Sequence, residues 1–283
     1  MLKQRVLTAL VLLAILLPAL FYPSPLPFAI VVLVLMAAGA WEWGRMNGWG
    51  QVGALALGAV CVLLCAVSAQ LGWLERPLTH VWVIGGALWV LGGAVLLRAG
   101  VPGWPRIPAA VRLVVGVLAL WLAWLAVVQA RRIGINFLLS VLALVWVADI
   151  SAYFAGRAFG LRFTKNKLAP AISPGKSWEG VWGGAVGVVV LAWVWVAVDT
   201  AGHTSVPSFY TVLANKGWWL LLLAALFMTA MSVAGDLIES LIKRSAGVKD
   251  SSQLLPGHGG VLDRVDALLP TLPLALMLYS LVS

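Results

Sequence analysis

The segment GWWLLLLAALFMTAMSVAGDLIESLIKRSAGVKDSSQLLPGHGGVLDRVD, Gly217 to Asp266, changes character once along its length. Up to Glu239 it is an apolar run long enough to cross a bilayer, which needs roughly 20 such residues. From Ser240 onward it carries Lys243, Arg244, Lys249, Asp250, His258, Asp263, Arg264 and Asp266, and a second apolar run then begins. Each ionisable group costs about 3 kcal/mol at the bilayer centre on insertion scales, so such density between two spans marks a site or a boundary.

The rest of the chain repeats the apolar part of this pattern. Of its 283 residues 62% are hydrophobic and 10% charged, far from the soluble average. Apolar runs lie near residues 6–22, 26–43, 52–73, 79–97, 112–130, 133–154, 180–198, 217–239 and 266–282. The expected fold is an all-α polytopic integral membrane protein of about nine transmembrane helices. Very short links make runs one and two, and runs five and six, tight hairpins. Residues 1–132 are expected to form N-terminal helices without a catalytic motif, and 133–283 the catalytic region.

Lys3 and Arg5 before an apolar run resemble a signal peptide, but no small-residue cleavage site follows, so the first helix reads as a retained anchor. Cys61 and Cys65 read as small buried hydrophobes. With the N-terminus in the cytoplasm, 15 of the 19 Lys and Arg residues fall inside, and Arg76, Arg131, Arg132 and Lys216 fall outside. An odd number of spans then leaves the C-terminus outside. Trp41, Trp43, Trp178, Trp218 and Trp219 sit at run boundaries and are expected to anchor in the headgroup layer. Gly180, Gly183, Gly184 and Gly187 form two overlapping GxxxG spacings that admit a close helix neighbour, within the chain or between protomers.

Two polar segments share the cytoplasmic side: Asp149 to Glu179, and the Ser240 to Asp266 stretch with Asp236 and Glu239 one turn upstream. Asp236, Glu239, Ser240 and Lys243 recur at three- and four-residue spacing on one helix face, and Asp263 and Asp266 repeat the three-residue step. Carboxylates beside cations suit a magnesium nucleotide, in which one or two carboxylates and substrate phosphates share the octahedral ion and Arg and Lys hold the remaining phosphate charge. The formal net charge of +9 likewise points to phosphates and anionic headgroups rather than nucleic acid. Zinc is not expected, because neither Cys nor a second His joins His258 at ligand spacing. SPGKS, Ser173 to Ser177, resembles the end of a Walker A loop but lacks its first glycine, Pro170 standing there. It reads as a flexible basic loop suited to gripping phosphate, with Lys165, Lys167 and Lys176. Asp149 is an intramembrane carboxylate and a candidate on that ground.

Ser240, Lys243, Arg244, Lys249, Asp250, Ser252, Pro256, His258, Gly259, Gly260, Asp263, Arg264 and Asp266 resemble, without an identified departure, the signature of the phosphatidate cytidylyltransferases, or CDP-diacylglycerol synthases. SPGKSWEG resembles that family's preceding motif; the first five helices carry none. The resemblance implies transfer from CTP to phosphatidate with release of pyrophosphate. It implies Mg²⁺ on Asp236 and Asp263, with Asp266 next, and a second, monovalent cation such as K⁺. Lys243, Arg244, Lys249, His258 and Arg264 are the expected catalytic residues, and Ser173, Lys176, Ser177, Ser240, Gly259 and Gly260 the expected substrate-binding ones. A homodimer in a bacterial-type cytoplasmic membrane, with the site facing the cytoplasm, completes the expectation. A transporter would explain Asp149 and Asp236 but not the cluster around His258; a lipid kinase or a CTP transferase acting on another lipid phosphate is the nearer rival.

Overall fold

The computed structural model describes residues 2–283. Its helices are α1 Leu2–Phe21, α2 Leu26–Met46, α3 Gln51–Gln70, α4 Thr79–Ala99, α5 Ala109–Ile133, α6 Ile135–Phe159, α7 Trp178–Ala201, α8 Phe209–Ala214, α9 Trp218–Ser245, α10 Leu262–Val265 and α11 Leu268–Val282. A two-stranded antiparallel hairpin, β1 Lys167–Ala169 and β2 Ser173–Ser177, precedes α7. Among the described residues nine segments are long and apolar enough to cross a membrane, the ninth running from Leu262 through α11. The expected all-α polytopic architecture is what is seen, and the short connections are as short as expected. Gly134 alone joins α5 to α6.

The core is built around α5. Every residue from Leu122 to Arg131 is buried, as befits a helix apolar on all sides and surrounded by others. At one end of the bundle Arg131 closes the α1–α2 link, its Nε and Nη2 donating to the carbonyls of Leu20 (2.7 Å) and Tyr22 (2.8 Å). At the same end Asp199 accepts from Asn136 Nδ2, Ser208 N and Thr211 Oγ1 at 2.6–2.9 Å, which fastens α8 against α6 and α7.

The small residues of α7 face α6. A Cβ on Gly180 would sit 3.0 Å from the Ala152 carbonyl oxygen, one on Gly184 3.0 Å from that of Ala148, and one on Gly183 or Gly187 would collide with Ala155 or Ser151. The two GxxxG spacings are therefore consumed inside the chain, which leaves them no part in joining protomers. A second close approach, at Gly235 of α9, puts a hypothetical Cβ 2.6 Å from the Asp266 carbonyl oxygen. It brings Asp236 beside the start of the last span.

Trp43 corrects an expectation. It is only 8% exposed; its Nε1 donates to the Arg112 carbonyl at 3.0 Å, and its ring meets Trp104 edge-on with centroids 5.6 Å apart. It is a core residue because α2 packs against α3 and α5 along the face that carries it. Trp178, Trp218 and Trp219 do lie on the outer surface. Cys61 and Cys65 are buried and free.

Candidate active site

Helix α9 has 28 residues, about 42 Å at 1.5 Å per residue, whereas the hydrocarbon core is about 30 Å thick. Counted from Trp218, Asp236 stands about 27 Å along the axis. The last turns, with Asp236, Glu239, Ser240, Lys243 and Arg244, therefore reach the end of the apolar layer. The hairpin β1–β2 and the Ala246–Val261 loop meet them there, so the two polar segments form one site.

The joint is an ion pair. Lys176 on β2 places its Nζ 2.5 Å from Asp236 Oδ2, and Ser240 donates to Asp236 Oδ1 at 3.2 Å. One turn further, Lys243 Nζ lies 2.5 Å from Glu239 Oε2 and 2.6 Å from Asp263 Oδ1. Both Glu239 and Lys243 are buried, and removing one partner of such a pair costs about 3–5 kcal/mol. Asp263 Oδ2 accepts from Ser251 N (2.9 Å), Ser251 Oγ (2.9 Å) and Gly260 N (2.7 Å). Asp266 accepts only from its own neighbour, Ala267 N. It lies within electrostatic reach of Asp236, Asp149 and Lys243, as Asp149 does of Asp236 and Lys176.

Five carboxylates, those of Asp149, Asp236, Glu239, Asp263 and Asp266, thus share two ammonium groups, Lys176 and Lys243. Glu239 Oε1 is enclosed without a hydrogen-bond partner. Among the described residues no three Asp, Glu, His or Cys side chains close on a single point as a self-sufficient metal cage would. A magnesium site of one or two carboxylates completed by phosphate and water needs no such cage. The surplus negative charge and the orphaned oxygen fit a bound cation.

The remaining expected residues divide by position. Arg244, Lys249 and Arg264 are exposed at the mouth. Arg244 Nε donates to the Ile172 carbonyl at the hairpin tip (3.4 Å), and Arg264 Nε to the His258 carbonyl (3.0 Å). His258 is half-buried, with Nδ1 enclosed and unpartnered. Gly259 has φ +82°, the left-handed region where a side chain is strained, and a Cβ there would also lie 2.6 Å from Asp263 Oδ2. The SPGKS segment is an ordered strand rather than a flexible loop. Ser173 opens it half-buried, while buried Ser177 caps α7, its hydroxyl accepting from Gly180 N at 3.2 Å. That cap uses the Ser177 hydroxyl as an acceptor and leaves its O–H proton as a donor. Two carboxylates outside the expected site residues hold the frame: Glu179 accepts from Phe163 N, Thr164 N and Thr164 Oγ1 ahead of the hairpin, and Glu42 reaches across from α2. Each stands as a lone acid in a polar fringe or apolar run, so only the cost of placing a carboxylate there signals it.

Comparison with known proteins meets this geometry. The sequence profile of the Cytidylyltransferase family matches residues 3–282. The chain belongs to the cytidylyltransferase family. Among its relatives in that family, the phosphatidate cytidylyltransferase of Pseudomonas aeruginosa is 39% identical over 96% of this chain and 95% of its own. That of Haemophilus influenzae is 37% identical over 96% of each, and that of Brucella abortus 36% over 94% and 89%. Family membership makes the chain a nucleotidyltransferase and extends the likeness to the first five helices, where no motif was visible. Within a cytidylyltransferase, an acidic, cation-deficient floor under a mouth of exposed Arg and Lys is an arrangement suited to a nucleotide triphosphate.

Proposed function

We propose that the chain transfers the cytidylyl group of CTP to phosphatidate in the membrane, forming CDP-diacylglycerol and pyrophosphate. The observation that carries this reading is the near full-length likeness to relatives named phosphatidate cytidylyltransferase. The Lys176–Asp236 pair, which unites both polar segments at the end of the bundle, supports it. An oxygen of the lipid phosphate attacks the α-phosphorus in line; the bond from that phosphorus to the bridging α–β oxygen breaks, and pyrophosphate leaves with the electron pair. Phosphatidate is already anionic at neutral pH, so a dedicated general base is unnecessary.

The chain's contribution is placement and charge. Arg244, Lys249 and Arg264 meet the triphosphate at the mouth, with Ser173 and His258 beside them. Lys176 is held over the acidic floor by Asp236 and can exchange that partner for phosphate. Lys243, buried between Glu239 and Asp263, fixes both carboxylates and contacts phosphate only by giving one of them up. Asp236, Asp263 and Asp266 would hold Mg²⁺, and the remaining negative charge would suit a monovalent cation such as K⁺. A divalent ion held by these carboxylates would supply positive charge against that of the triphosphate.

The 15-to-4 partition of Lys and Arg supports a site facing the cytoplasm, with the C-terminus outside, in a bacterial inner membrane. A homodimer, if formed, uses a face other than the α7 glycines. Purified protein given CTP, phosphatidate and Mg²⁺ tests the reading: CDP-lipid and pyrophosphate should appear in equal amounts, and their absence would sink it.

A further inference from the structure

Glu42, on α2 in the half of the chain that carries no motif, has no surface exposure. Both of its oxygens are occupied. Oε1 accepts from Ser252 Oγ (2.6 Å) and Val261 N (2.9 Å); Oε2 accepts from Leu262 N (2.8 Å) and lies 3.1 Å from Ser251 Oγ. Val261 and Leu262 open α10, whose first backbone N–H groups have no partner within the helix. Glu42 supplies it from more than 200 residues away. Ser251 Oγ also lies 2.9 Å from Asp263 Oδ2, so a single hydroxyl stands between Glu42 and Asp263. Gly260 completes the fit, since a Cβ there would collide with both Ser251 Oγ and Glu42 Oε1.

We infer that Glu42 is a positioning residue for the site: it clamps both ends of the Ser251–Leu262 loop and thereby fixes where Asp263 points. A carboxyl group buried this deeply, with three donors converging on it, the Ser251 hydroxyl proton shared with Asp263, and no cation within ion-pair distance among the described residues, is costly unless all of those bonds form together. Glu42→Gln puts an N–H₂ donor where an acceptor is required, leaving buried donors facing each other.

The inference rests on the proposed reading only in placing Asp263 at the site. Hydrogen–deuterium exchange therefore tests the clamp itself. Glu42→Gln should speed exchange of the Ser251, Gly260, Val261 and Leu262 amides at least tenfold while the middle of α5 exchanges as before, and kcat for CDP-lipid formation should fall at least tenfold. Combined with Asp263→Asn, it should add little further loss, because both act through one carboxylate. Unchanged loop exchange, acceleration spread equally over α5, or multiplicative losses in the double variant would overturn the inference. If Glu42→Gln does not fold, Ser251→Ala, which removes the shared hydroxyl, is read by the same three criteria. Wild-type protein that forms no CDP-lipid would contradict the proposed reaction and leave the exchange result standing.

Discussion

Asp263 and Gly260 show what single residues contribute. Asp263 binds Lys243 through one oxygen and three loop donors through the other. Asp263→Asn should therefore lower turnover about a hundredfold or more, the scale on which one charge-stabilising group counts, with the protein still inserted; near-normal activity would remove Asp263 from the site. Gly260→Ala should destabilise by about 1–3 kcal/mol through overpacking against Glu42 and Ser251, read as a lower Tm in detergent; an unchanged Tm would show that the clamp yields easily. The Asp236, Lys243 and Asp263 candidates were legible in the sequence because their three- and four-residue spacings are those of a helix face. Glu42 was not, because its partners lie some 210–220 positions away and nothing within WEW points to them.

At the scale of elements, apolar run length gave the helices, and the short gaps between runs gave the two tight links, since both follow from local composition. Which surface each helix turns toward its neighbours was less legible. The glycines of α7 satisfied two readings until the packing of Ala148, Ser151, Ala152 and Ala155 against them chose one. Gly184→Leu should accordingly lower the Tm without changing the mass of the detergent-solubilised particle by light scattering. A halved mass with unchanged Tm would make the glycine face a protomer interface. Trp43 was misplaced for a similar reason: an indole at a run boundary suits a headgroup or a buried notch equally, and Gly116 provides the notch. The hairpin hid in the sequence because Pro174 and Gly175 speak for a turn, whereas its pairing is made by Lys167 and Ala169 across it.

The whole molecule gathers Asp149, Asp236, Glu239, Asp263 and Asp266, half of its ten acidic residues, at one end, with Arg244, Lys249 and Arg264 exposed at that end. If that end faces the cytoplasm, a maleimide should label Lys249→Cys in inverted vesicles and not in intact cells, while Cys61 and Cys65, both buried, stay unlabelled; the opposite pattern would reverse the topology. The site is assembled from four regions distant in sequence, α2, α6, the hairpin before α7, and α9 through α10, so the reaction depends on the bundle as a unit. The most direct measurement supplies purified protein in phosphatidate liposomes with CTP labelled at the α-phosphate or, in parallel, at the γ-phosphate, with Mg²⁺ and then with chelator. The account predicts α-label in the lipid, γ-label in pyrophosphate and neither after chelation. Label from the γ-phosphate in the lipid, or no labelled lipid at all, would contradict it.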